Sequence, residues 1–231
     1  MSLHLEREMG KLQNNMLQLC GTVEKSVALA LRALEQQDAS IARQVIADDN
    51  IIDQMEVRIE EEGLKILALH QPVAIDLRRI VAILKINNDL ERIGDYAVSI
   101  AKRQLELSGH PGYPEEFRFD AMVQQVNQQL HRSVDALVKL DKELAWQVIE
   151  GDKEIDRINR EIVQRAEAAI AADATQAAMM LQIFSVSRSL ERIGDHAANI
   201  AEDVLYLITG EIVRHEHKDA RKAQAQQASM T

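Results

Sequence analysis

The hexapeptide Leu90-Glu91-Arg92-Ile93-Gly94-Asp95 returns unchanged as Leu190-Glu191-Arg192-Ile193-Gly194-Asp195. An identical run of six residues is too long to arise by chance in a chain of 231. Past the motif, Ala97, Ile100 and Ala101 recur as Ala197, Ile200 and Ala201. Upstream, Gln44-Val45-Ile46, Asp49 and Ile52-Asp53 recur as Gln147-Val148-Ile149, Asp152 and Ile155-Asp156. The chain reads as an internal duplication extending over more than one element of each half.

The apolar residues around the repeat set the secondary structure. Ile183, Val186, Leu190, Ile193, Ala197, Ile200, Val204 and Leu207 alternate steps of three and four, as do Ile83, Ile86, Leu90, Ile93, Ala97 and Ile100. That period is the seam of a helix packed in a bundle. Working outward, the spacing predicts six helices in two sets of three. They cover residues 3–36, 40–69 with Ser40 as N-cap, 74–108, 117–140, 142–172, and a sixth that Asp173 or Thr175 caps and that runs to 209. Pro72 breaks the second helix from the third, and Gly210 stops the sixth. His110-Pro111-Gly112-Tyr113-Pro114 is the boundary between halves. The expected architecture is all-α, two tandem three-helix bundles spanning residues 1–109 and 115–213, with a polar tail at 214–231.

Composition narrows the function. Aromatic residues are only 3% and glycines only 9, a mixture that favours helix. A net charge of −10 repels phosphate backbones and argues against sequence-independent nucleic-acid binding. The single Cys20 excludes an internal disulfide and reads as a small core residue. The start of the chain is charged and has no apolar leader, and no run reaches the length of a membrane helix. The expected setting is the cytoplasm, without membrane insertion.

The repeat also duplicates acidic residues. Glu91 and Asp95, Glu191 and Asp195, Asp49 and Asp53, and Asp152 and Asp156 each stand four apart, so each pair shares a helix face. Asp53, Glu91, Asp156 and Glu191 each directly follow a seam residue, which places the acids on the flank of the core. Where neighbouring helices run antiparallel, these flanks meet. Four carboxylates in one patch repel unless a cation joins them, and oxygen ligation suits Mg, Mn, Ca or ferric iron better than zinc. The expected metal ligands are Asp49, Asp53, Glu91 and Asp95 in one half, and Asp152, Asp156, Glu191 and Asp195 in the other. The competing reading is of solvated acids paired to Arg92, Arg188 and Arg192 in a metal-free helical adaptor.

The two LERIGD motifs, with Asp76-Leu77-Arg78 ahead of the first, resemble the PhoU family of phosphate-uptake regulators over residues 5 to 213. The resemblance implies two similar three-helix bundles. It further implies multinuclear metal clusters, often iron or zinc, on acidic E/D-x-x-x-D motifs of adjacent helices, and all eight acids named above match. The halves differ after the last acid, Tyr96 against His196. What the resemblance implies of function is a cytoplasmic negative regulator of phosphate uptake and of the phosphate-starvation response. Its implied partners are the ATPase subunit of a phosphate ABC transporter and a sensor histidine kinase. Arg78 and Arg79 offer a basic contact for an acidic partner, or are simply two solvated arginines at a helix start. A homodimer is expected from base rates.

The enzymatic rival is a carboxylate-bridged di-iron oxidase in a helical bundle. That class uses Glu-x-x-His pairs, and none of the seven histidines has a glutamate three residues before it. Phosphate-cradling glycine loops and G-x-S-x-G elbows are missing from the sequence too. The expectation is a non-enzymatic protein.

Overall fold

A computed structural model describes residues 3–108 and 117–213. The six helices are α1 (Leu3–Gln36), α2 (Ala39–His70), α3 (Ala74–Leu107), α4 (Asp120–Lys139), α5 (Lys142–Ala172) and α6 (Ala177–Thr209). The expected boundary at 110–114 and the polar tail at 214–231 lie outside the described residues. α1, α2 and α3 pack on one another, as do α4, α5 and α6, giving two three-helix bundles. α3 also packs along α6, so the halves meet over a long helical face and share one apolar core.

The seam residues fill that core. Ile86, Leu90, Ile93, Ala97 and Ile100 of α3 are completely buried, and so are their counterparts Val186, Leu190, Ile193, Ala197 and Ile200 of α6. Gly94 and Gly194 sit between them for a steric reason. A Cβ on Gly94 would lie 3.0 Å from Ile52 Cδ1, and one on Gly194 would lie 2.9 Å from Ile155 Cδ1. Glycine in a helix interior costs about 1 kcal/mol relative to alanine. Here it lets α2 approach α3, and α5 approach α6, at the turn that carries the acids.

The turns inside each half repeat as well. α1 ends at Gln37 with φ 53°, and Asp38 then caps α2 by accepting from the backbone N–H of Ser40 and Ile41. α4 ends at Leu140 with φ 50°, and Asp141 caps α5 by accepting from the N–H of Leu144. Ser40 is therefore not the cap. The aspartate two residues earlier takes that role, and hydrogen bonds to Ser40 hold its carboxyl below the usual range. α4 begins at Asp120 rather than Phe117, because Phe117 and Phe119 turn into the core before the helix starts. Asp173 caps a single 3₁₀ turn at Ala174–Gln176 through the N–H of Thr175, and α6 itself starts at Ala177 with no side-chain cap.

Gln71 in the left-handed region closes α2 ahead of Pro72, and Gly210 with φ 81° closes α6. A Cβ on Gly210 would fall 2.7 Å from Arg78 Nη1, the far end of a long side chain that could shift aside. The Arg78 guanidinium thus sits at the C-terminal end of α6, where a positive charge is favoured, and lies 6.0 Å from the centre of the Tyr206 ring. Arg78 is spent on an internal contact, whereas Arg79 faces outward. Cys20 is buried, and burial pushes its thiol up to about 12, as a core residue requires.

Candidate metal centres

In the second half, helix geometry and the glycine contact bring the acids of α5 and α6 together. Carboxylate oxygens of Asp152, Asp156 and Asp195 all lie within 4.8 Å of one another. Asp152 is 6% exposed and Glu191 8%, while Asp156 and Asp195 are half-buried. The expectation that every acid only flanks the core is thus corrected for Asp152 and Glu191. For Asp152 the cause is a third helix: Gln129 of α4 donates from Nε2 to the Gly194 carbonyl at 3.2 Å and to Asp152 Oδ1 at 3.4 Å.

Glu191 is the most constrained of the four. One carboxylate oxygen, Oε1, pairs with Arg188. The other, Oε2, is buried without a hydrogen-bond donor, although Arg192 Nε lies 3.9 Å away. An acceptor left in that condition costs about 1–3 kcal/mol. Burial raises the Glu191 carboxyl first, Asp195 and Asp156 raise it further, and Arg188 and Arg192 oppose them. Arg192 also pairs with Asp195 at 3.1 Å.

The first half repeats this arrangement more loosely. Asp53 and Asp95 are exposed, and Asp49 and Glu91 are half-buried. Arg92 pairs with Asp95 at 3.3 Å and approaches Glu91 Oε2 at 3.6 Å. Burial and the charges of Asp53 and Asp95 raise the Asp49 carboxyl; burial, Asp95, Glu56 and Asp53 raise that of Glu91 against Arg92. These four acids therefore share one field. Among the described residues they do not bring three carboxylate oxygens within the spacing seen in the second half. Position 88, the counterpart of Arg188, is Asn88.

Glu56 is an acid that the repeat comparison passes over. One turn beyond Asp53, it is raised by burial, then by Glu60 and Asp53, and it receives the Asn87 side chain at its backbone carbonyl at 3.0 Å. Its counterpart is Asn159, which accepts from Ser187 at 2.6 Å. The signal in sequence was available, as Glu56 follows Asp53 by three and so continues the acid face that Asp49 and Asp53 begin with a step of four. The duplication hid it because the other half carries an amide there. His196, next to Asp195, turns away from the acids and bonds to Asp89.

The second cluster offers a hard, oxygen-only donor set with a buried acceptor lacking a donor. Both features fit a divalent or trivalent cation. Two or three carboxylates would supply direct ligands, and Gln129 would hold Asp152 in place. The arginines counter part of the charge from outside.

The PhoU domain family matches this chain twice, at residues 16–104 and 119–204, one match in each half. A phosphate-specific transport system accessory protein PhoU homolog from Pseudomonas aeruginosa is 39% identical over 93% of this chain and 89% of its own length. The crystal structure of PhoU from P. aeruginosa superposes with a TM-score of 0.86 at 38% identity, over 89% of this chain and 99% of the other. That of the phosphate transport system regulatory protein PhoU from Streptococcus pneumoniae gives 0.83 at 29% identity, over 90% and 99%. With both repeats matched and the paired bundles reproduced, the chain belongs to the PhoU family.

Proposed function

We propose that this chain is a cytoplasmic negative regulator of phosphate uptake and of the phosphate-starvation response, and that it works as a metal-binding helical adaptor rather than as an enzyme. The observation carrying the reading is the family match across both bundles, to relatives named as accessory or regulatory proteins of phosphate transport. The partners we propose are the ATPase subunit of the phosphate ABC transporter and a sensor histidine kinase, with the protein acting as a homodimer. Long amphipathic helices that expose apolar residues, such as Ile51, Val57 and Leu64 of α2, suit helix-to-helix docking, and none of the described helices is long and apolar enough to cross a membrane. The chain is proposed to divide into two three-helix bundles, 1–109 and 115–213, joined to each other through α3 and α6.

The metal role rests on Asp152, Asp156, Glu191 and Asp195, and on Asp49, Asp53, Glu91 and Asp95. A bound cation would neutralise the clustered charge and tie α5 to α6 and α2 to α3. Hard cations such as Mg, Mn or ferric iron fit the oxygen donors best; iron or zinc clusters are the family expectation. A metal-free adaptor is the second reading, favoured by the arginine pairs at Asp95, Glu191 and Asp195. Chelator-treated protein that still bound both partners would support it.

Deletion of the gene, followed by phosphate uptake and starvation-gene output in high phosphate, tests the regulatory reading. Constitutive output and excess uptake are expected. Output that stays repressed in the deletion strain would overturn it.

A further inference from the structure

At the end of the first bundle farthest from the acids, three side chains from two helices converge. His4 and Glu8 stand one turn apart at the start of α1, and His70 is the last residue of α2. His70 Nε2 lies 2.8 Å from Glu8 Oε2, and His4 Nε2 lies 3.5 Å from the other oxygen, Oε1. The two imidazoles meet edge to face with centroids 5.4 Å apart. One donor atom from each of the three lies within 4.8 Å of the others. The site is about 25 Å from Asp53 along α2, at about 1.5 Å per residue, so it is separate from both acid clusters.

We propose that His4, Glu8 and His70 form a binding site for zinc or a closely similar transition-metal ion. Two imidazoles and one carboxylate are a zinc donor set, unlike the oxygen-only acid clusters. Bonds of about 2.0–2.2 Å in a tetrahedron place neighbouring donor atoms about 3.3 Å apart; the His70 and His4 nitrogens lie 2.8 and 3.5 Å from different oxygens of Glu8, so small side-chain rotations would seat one ion among the three. Glu8 and His70 are 19% and 16% exposed and hold each other in place; His4 is 70% exposed and free to swing inward. Lys65 also faces Glu8 and opposes binding. The structural alternative is a plain Glu8–His70 ion pair tying the start of α1 to the end of α2. That pair makes no use of His4, so His4 separates the two readings.

The test uses the full chain with no tag at its N-terminus, stripped of metal and titrated with zinc against a chromophoric chelator, and with cobalt(II) followed by visible absorption. Losing an outer-sphere partner already costs metal sites about 10- to 100-fold in affinity, so His4→Ala is expected to weaken this zinc at least about tenfold and to abolish the cobalt spectrum of nitrogen-ligated metal. A second variant, Asp152→Asn with Asp195→Asn, should keep that spectrum. Unchanged zinc affinity and cobalt spectrum in His4→Ala, with its helical content intact, would overturn the proposal. A cobalt spectrum lost only in the Asp152/Asp195 variant would do the same.

Discussion

Asp89 of α3 and His196 of α6 are joined across the interface between the halves, with His196 Nδ1 2.7 Å from Asp89 Oδ1. Asn199 donates to the same oxygen at 3.2 Å. A hundred residues on, Ser189 of α6 meets Ser99 of α3 at 3.2 Å, the same pairing with the halves exchanged. Lys85 and Asp203, 3.4 Å apart, lie farther along the same antiparallel face. The interface is thus pseudo-symmetric in backbone and asymmetric in chemistry, with a carboxylate held by an imidazole and an amide on one side where the other has two hydroxyls.

Because Asp89 is only 6% exposed, losing its imidazole partner has a structural cost. His196→Ala is expected to lower stability by about 1 kcal/mol, one hydrogen bond to a buried carboxylate that Asn199 still reaches. Ser189→Ala should cost less. Urea melts of the two variants check the ordering; a Ser189→Ala loss equal to that of His196→Ala would contradict it.

Gly94→Ala and Gly194→Ala should both destabilise. Overpacking in a filled core costs about 1–3 kcal/mol, against a helix-propensity gain of about 1 kcal/mol. Gly194→Ala should be the worse, since its Cβ would crowd both Ile155 at 2.9 Å and Asp152 at 3.3 Å. It should also weaken cation binding, by pushing Asp152 off its position. Thermal melts with and without metal test this. A stabilised Gly194→Ala protein would show that the close approach of α5 to α6 does not depend on glycine there.

The raised carboxyls predict a pH signature for metal-free protein. Burial, Asp195 and Asp156 raise Glu191 in the folded state. The folded protein therefore binds this proton more tightly than the unfolded chain, and stability from this group is lost as pH rises through the folded value. Glu191→Gln removes the charge with little change in shape. The variant should be more stable than the parent at pH 7 without metal, and the advantage should shrink as pH falls into the carboxylate range. A difference that is flat with pH would mean that the Glu191 carboxylate carries no such penalty.

Much of this was readable before any coordinates. The Leu90 and Leu190 seams announced α3 and α6, because a three-and-four apolar spacing has few other uses, and Pro72, Gly210 and the Pro/Gly cluster marked breaks between the remaining helices. The acid faces followed from the same register. What needed the structure depends on three bodies. Asp152 is covered by Gln129, which comes over it from α4, and no two-helix register contains α4. The Asp89–His196 pair depends on how the halves dock. His4, Glu8 and His70 meet only because α1 begins where α2 ends. The caps were a local misreading: Ser40 and Asp38 are both good caps, and the geometry of the turn after Gln37 decides for the aspartate.

The central claim is that matched acids of adjacent helices hold a cation in this duplicated scaffold. Metal analysis of the purified native protein beside an Asp95→Ala/Asp195→Ala variant tests it most directly, with His4→Ala added to both to silence the separate histidine site. Retention of metal by the parent and its loss from the variant are the predicted result. Equal metal content in the two, with both folded, would contradict it.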